Sequence, residues 1–396
     1  MQTTTIRLVL LFCLVLAAPS YSKVTEEMLR DTSTSVDIYS ALHDPIRGYV
    51  RLFLEFFPIL PLEKAEDEPD PFPHEIFRGC VFSRHRNFSQ NKEVPALEVH
   101  SMAQPGNQWI DCRMEEDYAF ATVQTLSGHV HPQAVRILTL HTERAGGMSA
   151  CVAPLFSQRP DIHQWLHHYT QLGVNKFYMY VPTLHYHEAH FDAPHEVWKT
   201  VKGFNFRHGE THTDPFHPFD HPLAEWRYYS PSNRENYFGQ VLMYNECMMR
   251  SRYSYDFVMF LDVDEFISIN ATTLGRQAPV SLPAFLRQTF PKKTASLELV
   301  TYGYPRNCPA STSSSFMERH KIRDREVIKH HVKVVVRPQA VREVFVHFVV
   351  AVEEGWHQKL RVREDAAFLK HLVWLPPAYA NCRSYVYEDT GKSPGD

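Results

Sequence analysis

Five consecutive apolar residues, Phe257 to Leu261, run directly into Asp262-Val263-Asp264-Glu265-Phe266. A run this short is too brief for a helix, and it has no polar alternation to face water. It therefore reads as a strand in the middle of a covered parallel sheet, with acids at its carboxyl end. The residues before it repeat one logic twice. Cys151 to Phe156 reads as a strand leading into a helix, in which Ile162, Trp165, Leu166, Tyr169 and Leu172 follow helical spacing. Gly173 stops that helix, and Val174 to Val181 reads as a buried strand. Ser232 and Glu235 then have capping-box spacing ahead of a helical face of Phe238, Val241, Leu242 and Asn245. Strands alternating with helices argue for an open α/β sheet. No GxGxxG follows any of these strands, so a dinucleotide fingerprint is absent. Beyond residue 320 the chain turns β-like, with Val332 to Val336 and Val344 to Val350 as strands.

Ligands of open α/β sheets bind outside the carboxyl ends of the strands. In an extended segment residues two apart point to one side, so Asp262 and Asp264 can face a single ion. Two hard oxygen ligands on Mn²⁺ or Mg²⁺ leave positions open for phosphate oxygens. A sugar nucleotide uses that arrangement, because its leaving group is a diphosphate whose developing charge must be stabilised. The bland reading is a solvated strand end whose carboxylates cap the next turn. Aspartyl-phosphate hydrolases also carry an aspartate pair after an apolar strand, but a small residue and then Thr or Val follow the second aspartate there. Glu265 and Phe266 stand at those positions and argue against that chemistry.

The rest of the chain supplies context. Arg7 precedes the apolar run Leu8 to Ala18, followed by Pro19, Ser20 and Ser22. That pattern fits a cleaved signal peptide over 1–22, with an uncleaved membrane anchor as the alternative. Residues 34–57 read as a mostly helical stem, and a proline-rich acidic linker follows, completing a 23–75 segment. Residues 76–147 read as a small β-rich accessory region, 148–385 as the main domain and 386–396 as a tail. Without Cys13 six cysteines remain, an even number compatible with disulfides whose pairing the sequence leaves open. Asn87-Phe88-Ser89 and Asn270-Ala271-Thr272 are glycosylation sequons. The net charge of −4, with no long basic block, argues against a nucleic-acid partner.

Several ordered segments together resemble glycosyltransferase family 92 over roughly residues 148–385. They are Cys151 to Phe156; Gln164-Trp165-Leu166 through Leu172-Gly173-Val174 to Tyr180; Gly239-Gln240 with Asn245-Glu246-Cys247; Phe260 to Phe266; Lys333 to Pro338; Val346-His347; and His371. The resemblance implies a GT-A nucleotide-diphospho-sugar transferase domain with a DxD metal site. Its activity would be inverting transfer of a hexose, galactose in characterised relatives, from a UDP-sugar to a glycan or polysaccharide acceptor in the Golgi lumen or after secretion. Carried over by position, Asp262 and Asp264 would bind Mn²⁺ (or Mg²⁺) and the donor diphosphate, with His347 first and His371 second as the histidine completing the metal shell. Lys333 and Arg337 share a strand face and would neutralise the diphosphate. Glu265 is the nearby carboxylate for the base that takes the acceptor proton, although an extended segment would point it away from its neighbours. Four positions depart from the family pattern: Gln164, His167, Tyr169 and Val181 stand where Glu, Glu, His and Asp are common. Those changes fall in the strand–helix–strand unit near the nucleoside. They motivate the alternative of a catalytically silent glycan- or nucleotide-binding protein.

Overall fold

The computed structural model describes residues 34–58, 77–102, 107–126, 128–155, 162–182, 204–205, 211–212, 221–229, 239–270, 280–306, 308, 316–328, 332–373, 382 and 386–387. The chain divides into two units, residues 1–41 with 48–137 and residues 42–47 with 138–396. The signal segment 1–22, the linker after Pro58 and the capping box at Ser232 lie outside the described residues. Among the described residues no helix is long and apolar enough to cross a membrane.

Seven strands build a barrel: β1 (Thr34–Asp44), β2 (Tyr49–Pro58), β3 (Phe77–Ser83), β4 (Asn91–Ser101), β5 (Asn107–Arg113), β6 (Phe120–Thr125) and β7 (Val135–Thr139). They close in the order β1-β2-β5-β4-β3-β6-β7. The helix expected over 34–57 is therefore corrected to two strands. Val50, Leu52 and Leu54 all enter the barrel core, which is a period of two and not 3.6. The aromatic and β-branched residues that made the segment look sticky favour a pleated surface. The Cys80–Cys112 disulfide joins β3 to β5 inside that core.

The second unit is sheet-rich, with few helices among the described residues. Its strands are β8 (Met148–Val152), β9 (Lys176–Pro182), β10 (Phe204–Asn205), β11 (Thr211–His212), β12 (Ala224–Tyr229), β13 (Phe257–Phe260), β14 (Glu265–Ile269), β15 (Thr294–Leu299) and β16 (Thr301–Pro305). They continue with β17 (Ile322–Arg323), β18 (Lys333–Val336), β19 (Val341–Val344), β20 (Val349–Val352), β21 (His357–Arg361), β22 (Ala367–Val373) and β23 (Val386–Tyr387). The helices are α1 (Ile162–Gln171), α2 (Gln240–Ser251), α3 (Leu282–Thr289) and the single turn α4 (Phe316–Arg319).

A seven-stranded sheet runs β12-β9-β8-β13-β18-β15-β21. β13 lies parallel to β8 on one side and antiparallel to β18 on the other. The sheet is thus mixed, not the purely parallel one that the apolar run suggested. A smaller sheet, β14-β22-β16, follows immediately after β13. The buried residues of α1, Ile162, Trp165, Leu166 and Tyr169, join β8, β9, β13 and β14 in one core. Gly239, in the left-handed region at φ 70, starts α2. Two disulfides staple this unit, Cys151–Cys247 between β8 and α2, and Cys308–Cys382. The strand expected over Val344–Val350 is split: Phe345 donates its N–H to the Phe348 carbonyl at 2.8 Å, so a turn separates β19 from β20.

Candidate active site

β13 is buried throughout, and the chain leaves the sheet at Asp262. Here the expected extended segment is corrected to a tight turn, closed by a 3.1 Å hydrogen bond from the Glu265 N–H to the Asp262 carbonyl. The Glu265 carboxylate folds back and accepts the Asp262 N–H at 2.9 Å. Lys333 reaches across from β18, donating to Asp262 Oδ2 at 2.9 Å and lying 3.3 Å from Glu265 Oε2. Lys333 and Glu265 are each only 1% exposed, whereas the Asp262 side chain is 39% exposed. The knot therefore presents one carboxylate outward and keeps its brace inside.

Electrostatics follow from that burial. Desolvation pushes the Glu265 carboxyl up to about 8, with the Asp262 and Asp264 charges adding to the rise and Lys333 opposing it. Burial alone would lower Lys333, but the adjacent Asp262 and Glu265 carboxylates outweigh it and hold the ammonium well above its ordinary range. Lys333 is a fixed positive charge. Glu265 is corrected from candidate base to internal brace, because an acceptor hydroxyl has no access to a carboxylate this enclosed.

Asp264 occupies the same turn but faces a different partner. His371 on β22 stands directly across the strand pair from Glu265, and its Nε2 lies 3.9 Å from Asp264 Oδ1. The Asp264 carbonyl accepts the Leu372 N–H at 2.9 Å, which ties the turn to β22. His347, ranked ahead of His371 by sequence, sits in the β19–β20 turn with Nδ1 3.1 Å from the Val332 carbonyl. A carbonyl only accepts, so Nδ1 carries the proton. His371 is thus brought within 3.9 Å of an acid of the turn, while His347 is fixed against the residue that precedes Lys333. Among the described residues no three His, Cys, Asp or Glu side chains are grouped so that they could hold a metal ion.

Arg337 is not brought to this site. In the antiparallel register Val336 faces Val258, so Arg337 lies at the start of β13 while Lys333 lies at its end. Four residues of strand separate the two by roughly 13 Å. The Arg337 guanidinium packs 4.6 Å from the Phe290 ring and 5.0 Å from the Phe257 ring, and it donates to the Phe290 carbonyl at 3.3 Å. It braces the opposite end of the sheet.

Sequence reasoning missed what holds β14. That strand is an edge of its sheet, so its outward backbone groups need partners from elsewhere. Helix α1 supplies them. Trp165 Nε1 and Tyr169 OH donate to the Glu265 carbonyl at 2.9 and 3.0 Å. The Ile267 N–H donates to Tyr169 OH at 2.9 Å, and His168 Nε2 lies 3.1 Å from the Ile267 carbonyl. Only the polar tips of Trp165 and Tyr169 on a buried helical face could have hinted at this. Of the other departures, His167 is exposed, Val181 is buried in the core, and Gln164 Oε1 is buried without a hydrogen-bond partner.

A family model described as Glycosyltransferase family 92 matches residues 146–375, a span that contains every residue of this site. No curated protein matches the chain.

Proposed function

The chain belongs to glycosyltransferase family 92 and is a glycosyltransferase, and from that premise we propose that it moves a hexose from a UDP-sugar to a glycan acceptor at the Asp262–Asp264 turn. The observation that carries this reading is the charge arrangement at the end of β13. Asp262 faces outward while Lys333 and Glu265 fix it from inside, so the carboxylate is held in place without being enclosed. We place the matched domain in the GT-A fold on the strength of the parallel strands β12, β9, β8 and β13, with the acids at the carboxyl end of the last.

The donor set suits a hard divalent cation, Mn²⁺ or Mg²⁺. Asp262, or Asp264 with the His371 imidazole beside it, would offer it only part of a shell, because no three such side chains converge among the described residues, and the donor diphosphate would have to supply the rest. Such an ion, when bound, stabilises the charge that develops on the departing diphosphate. Lys333 holds a permanent positive charge beside the same position and orients Asp262. The turn's attachment to β22 through the Asp264 carbonyl keeps Asp264 and His371 in register. The product is a glycoside, with inversion at the anomeric carbon and galactose as the hexose.

Three disulfides among the described residues suit an oxidising compartment, and both sequon asparagines, Asn87 and Asn270, are exposed. These features support a place in the lumen of the secretory pathway, the Golgi above all, or outside the cell. Of the departures, Tyr169 braces the acid turn and Val181 fills the core, so both have structural roles in this chain.

Hydrolysis of UDP-galactose by the full chain, measured with Mn²⁺ and with chelator, tests the reading. Asp264→Ala is expected to lower turnover at least about 100-fold, consistent with the loss of a charge-stabilising group. Turnover that survives both chelation and Asp264→Ala unchanged would refute it.

A further inference from the structure

Phe348 is the one aromatic residue among the most exposed large apolar side chains of the described residues, at 44%. A single exposed apolar residue signals nothing by itself. Its setting is what matters. Phe348 closes the four-residue turn between β19 and β20, and its ring packs against Phe345 with centroids 5.2 Å apart at 31°. The turn is held from two sides. Asn245 on α2, 2% exposed, donates to the Val344 carbonyl at 2.8 Å and accepts the Val344 N–H at 3.0 Å. Its Nδ2 also reaches the Val241 carbonyl at 2.8 Å, and the neighbouring Cys247 is bonded to Cys151 on β8. On the other side His347 donates to the Val332 carbonyl, one residue from the Lys333 that grips Asp262.

We propose that this anchored turn is a carbohydrate-binding platform, with the exposed Phe348 ring, backed by Phe345, stacking on the apolar face of an acceptor pyranose beside the Asp262 turn. A pyranose presents C–H groups on one face and hydroxyls around its rim. A rigid ring standing beside a polar site matches that pattern and holds the sugar flat, at little conformational cost to the protein. The anchors explain why the aromatic can stay exposed. Asn245 takes the place of a neighbouring strand for Val344, so the turn does not need to bury Phe348 to be ordered. His347, the residue before Phe348, is bonded to Val332, the residue before Lys333, which ties the backbone of the turn to the acid-bearing end of the sheet. The turn is therefore tied to the end of β18 that carries Lys333 and not to the end that carries Arg337.

This inference rests on the transferase reading, since it assigns the acceptor of that same site. The test uses the full chain with β-1,4-galactotetraose and a desialylated N-glycan as acceptors. Phe348→Ala is expected to raise the acceptor KM about tenfold, the scale of one aromatic contact, while the donor KM moves less than twofold. Phe348→Trp is expected to keep the acceptor KM within about threefold, as a ring replaces a ring. Leu360→Ala, which removes an exposed apolar group from β21, serves as a control. An acceptor KM for Phe348→Ala equal to that of wild type overturns the platform while leaving the transferase intact. If wild type fails to turn over donor with Mn²⁺, the transferase reading falls instead. Indole fluorescence of Phe348→Trp then decides the platform: saturable quenching by either glycan upholds it, and a flat titration overturns it.

Discussion

Tyr169→Phe isolates the device that holds the acid turn. The substitution removes one oxygen from a fully buried ring, so packing is retained and only hydrogen bonding changes. Two bonds disappear: the one Tyr169 donates to the Glu265 carbonyl and the one it accepts from the Ile267 N–H. Their costs differ. The carbonyl keeps the Trp165 indole as a donor at 2.9 Å, so its loss is a few tenths of a kcal/mol to about 1 kcal/mol. The Ile267 N–H faces the hydrophobic core with its acceptor gone, and such a stranded donor costs about 1–3 kcal/mol. The sum is about 2 kcal/mol. Guanidinium unfolding of the second unit should register that loss. Amide exchange at Ile267 should accelerate about 30-fold, which is the same free energy expressed as a rate. Trp165→Phe combined with Tyr169→Phe removes both donors of one carbonyl, so the double mutant should exceed the sum of the singles by about 1 kcal/mol. Binding of UDP-galactose with Mn²⁺ should weaken in parallel, because Glu265 directly follows Asp264. A Tyr169→Phe variant within 0.5 kcal/mol of wild type, with unchanged Ile267 exchange, would refute the view that α1 caps this edge.

Two further outcomes follow from the charges. Burial holds His168 down to about 4 against an ordinary 6.5, so the unfolded chain protonates first as pH falls. Stability is then full above pH 6.5 and declines by about 3 kcal/mol towards pH 4, a slope that His168→Gln should remove in pH-dependent denaturation. At pH 9, above the value of about 8 to which Glu265 is pushed, Lys333→Met strips the counter-charge from buried Glu265 and should cost about 3–5 kcal/mol, with at least 1 kcal/mol regained when Glu265→Gln is added; no recovery in thermal or chemical unfolding at that pH would contradict the ion-pair reading.

The parts legible in the sequence are those that repeat. The face of α1 and the apolar run of β13 declare themselves through period, because every residue on a buried face obeys the same constraint. Residues 34–57 misled because a segment dense in Tyr, Phe, Leu and Val offers apolar partners at both helical and strand spacing. The period of two emerges only once Val50, Leu52 and Leu54 are seen together in the core. Between β19 and β20 the chain turns at Phe345–Phe348 with neither glycine nor proline, so no punctuation marked the break. Lys333 and Arg337 look equivalent in the sequence, and strand register alone sends one to the acids and the other to Phe257 and Phe290. The brace formed by Trp165 and Tyr169 was illegible for a different reason. Side chains bonded to a distant backbone leave no periodic trace, and at these positions a buried aromatic reads first as packing.

The charges at the turn bear on why it is built with a lysine and on the cation proposed for it. Asp262 and Asp264 contribute two negative charges and Lys333 one positive, leaving a net −1 before Glu265 is counted. If Glu265 is ionised the balance is −2, so the sign does not depend on its proton. A diphosphate approaching such a position meets repulsion, which a site partly shielded from water screens poorly. Lys333 cannot reverse this by itself, because its ammonium is buried and committed to Asp262. Its effect is instead to lower the cost of crowding three carboxylates into one turn. The proposed divalent cation would change the local balance to neutral or +1 and so turn repulsion of the donor into attraction. On the proposed reading metal and nucleotide would bind with mutual dependence, and the buried lysine would tune how tightly the ion is held without substituting for it.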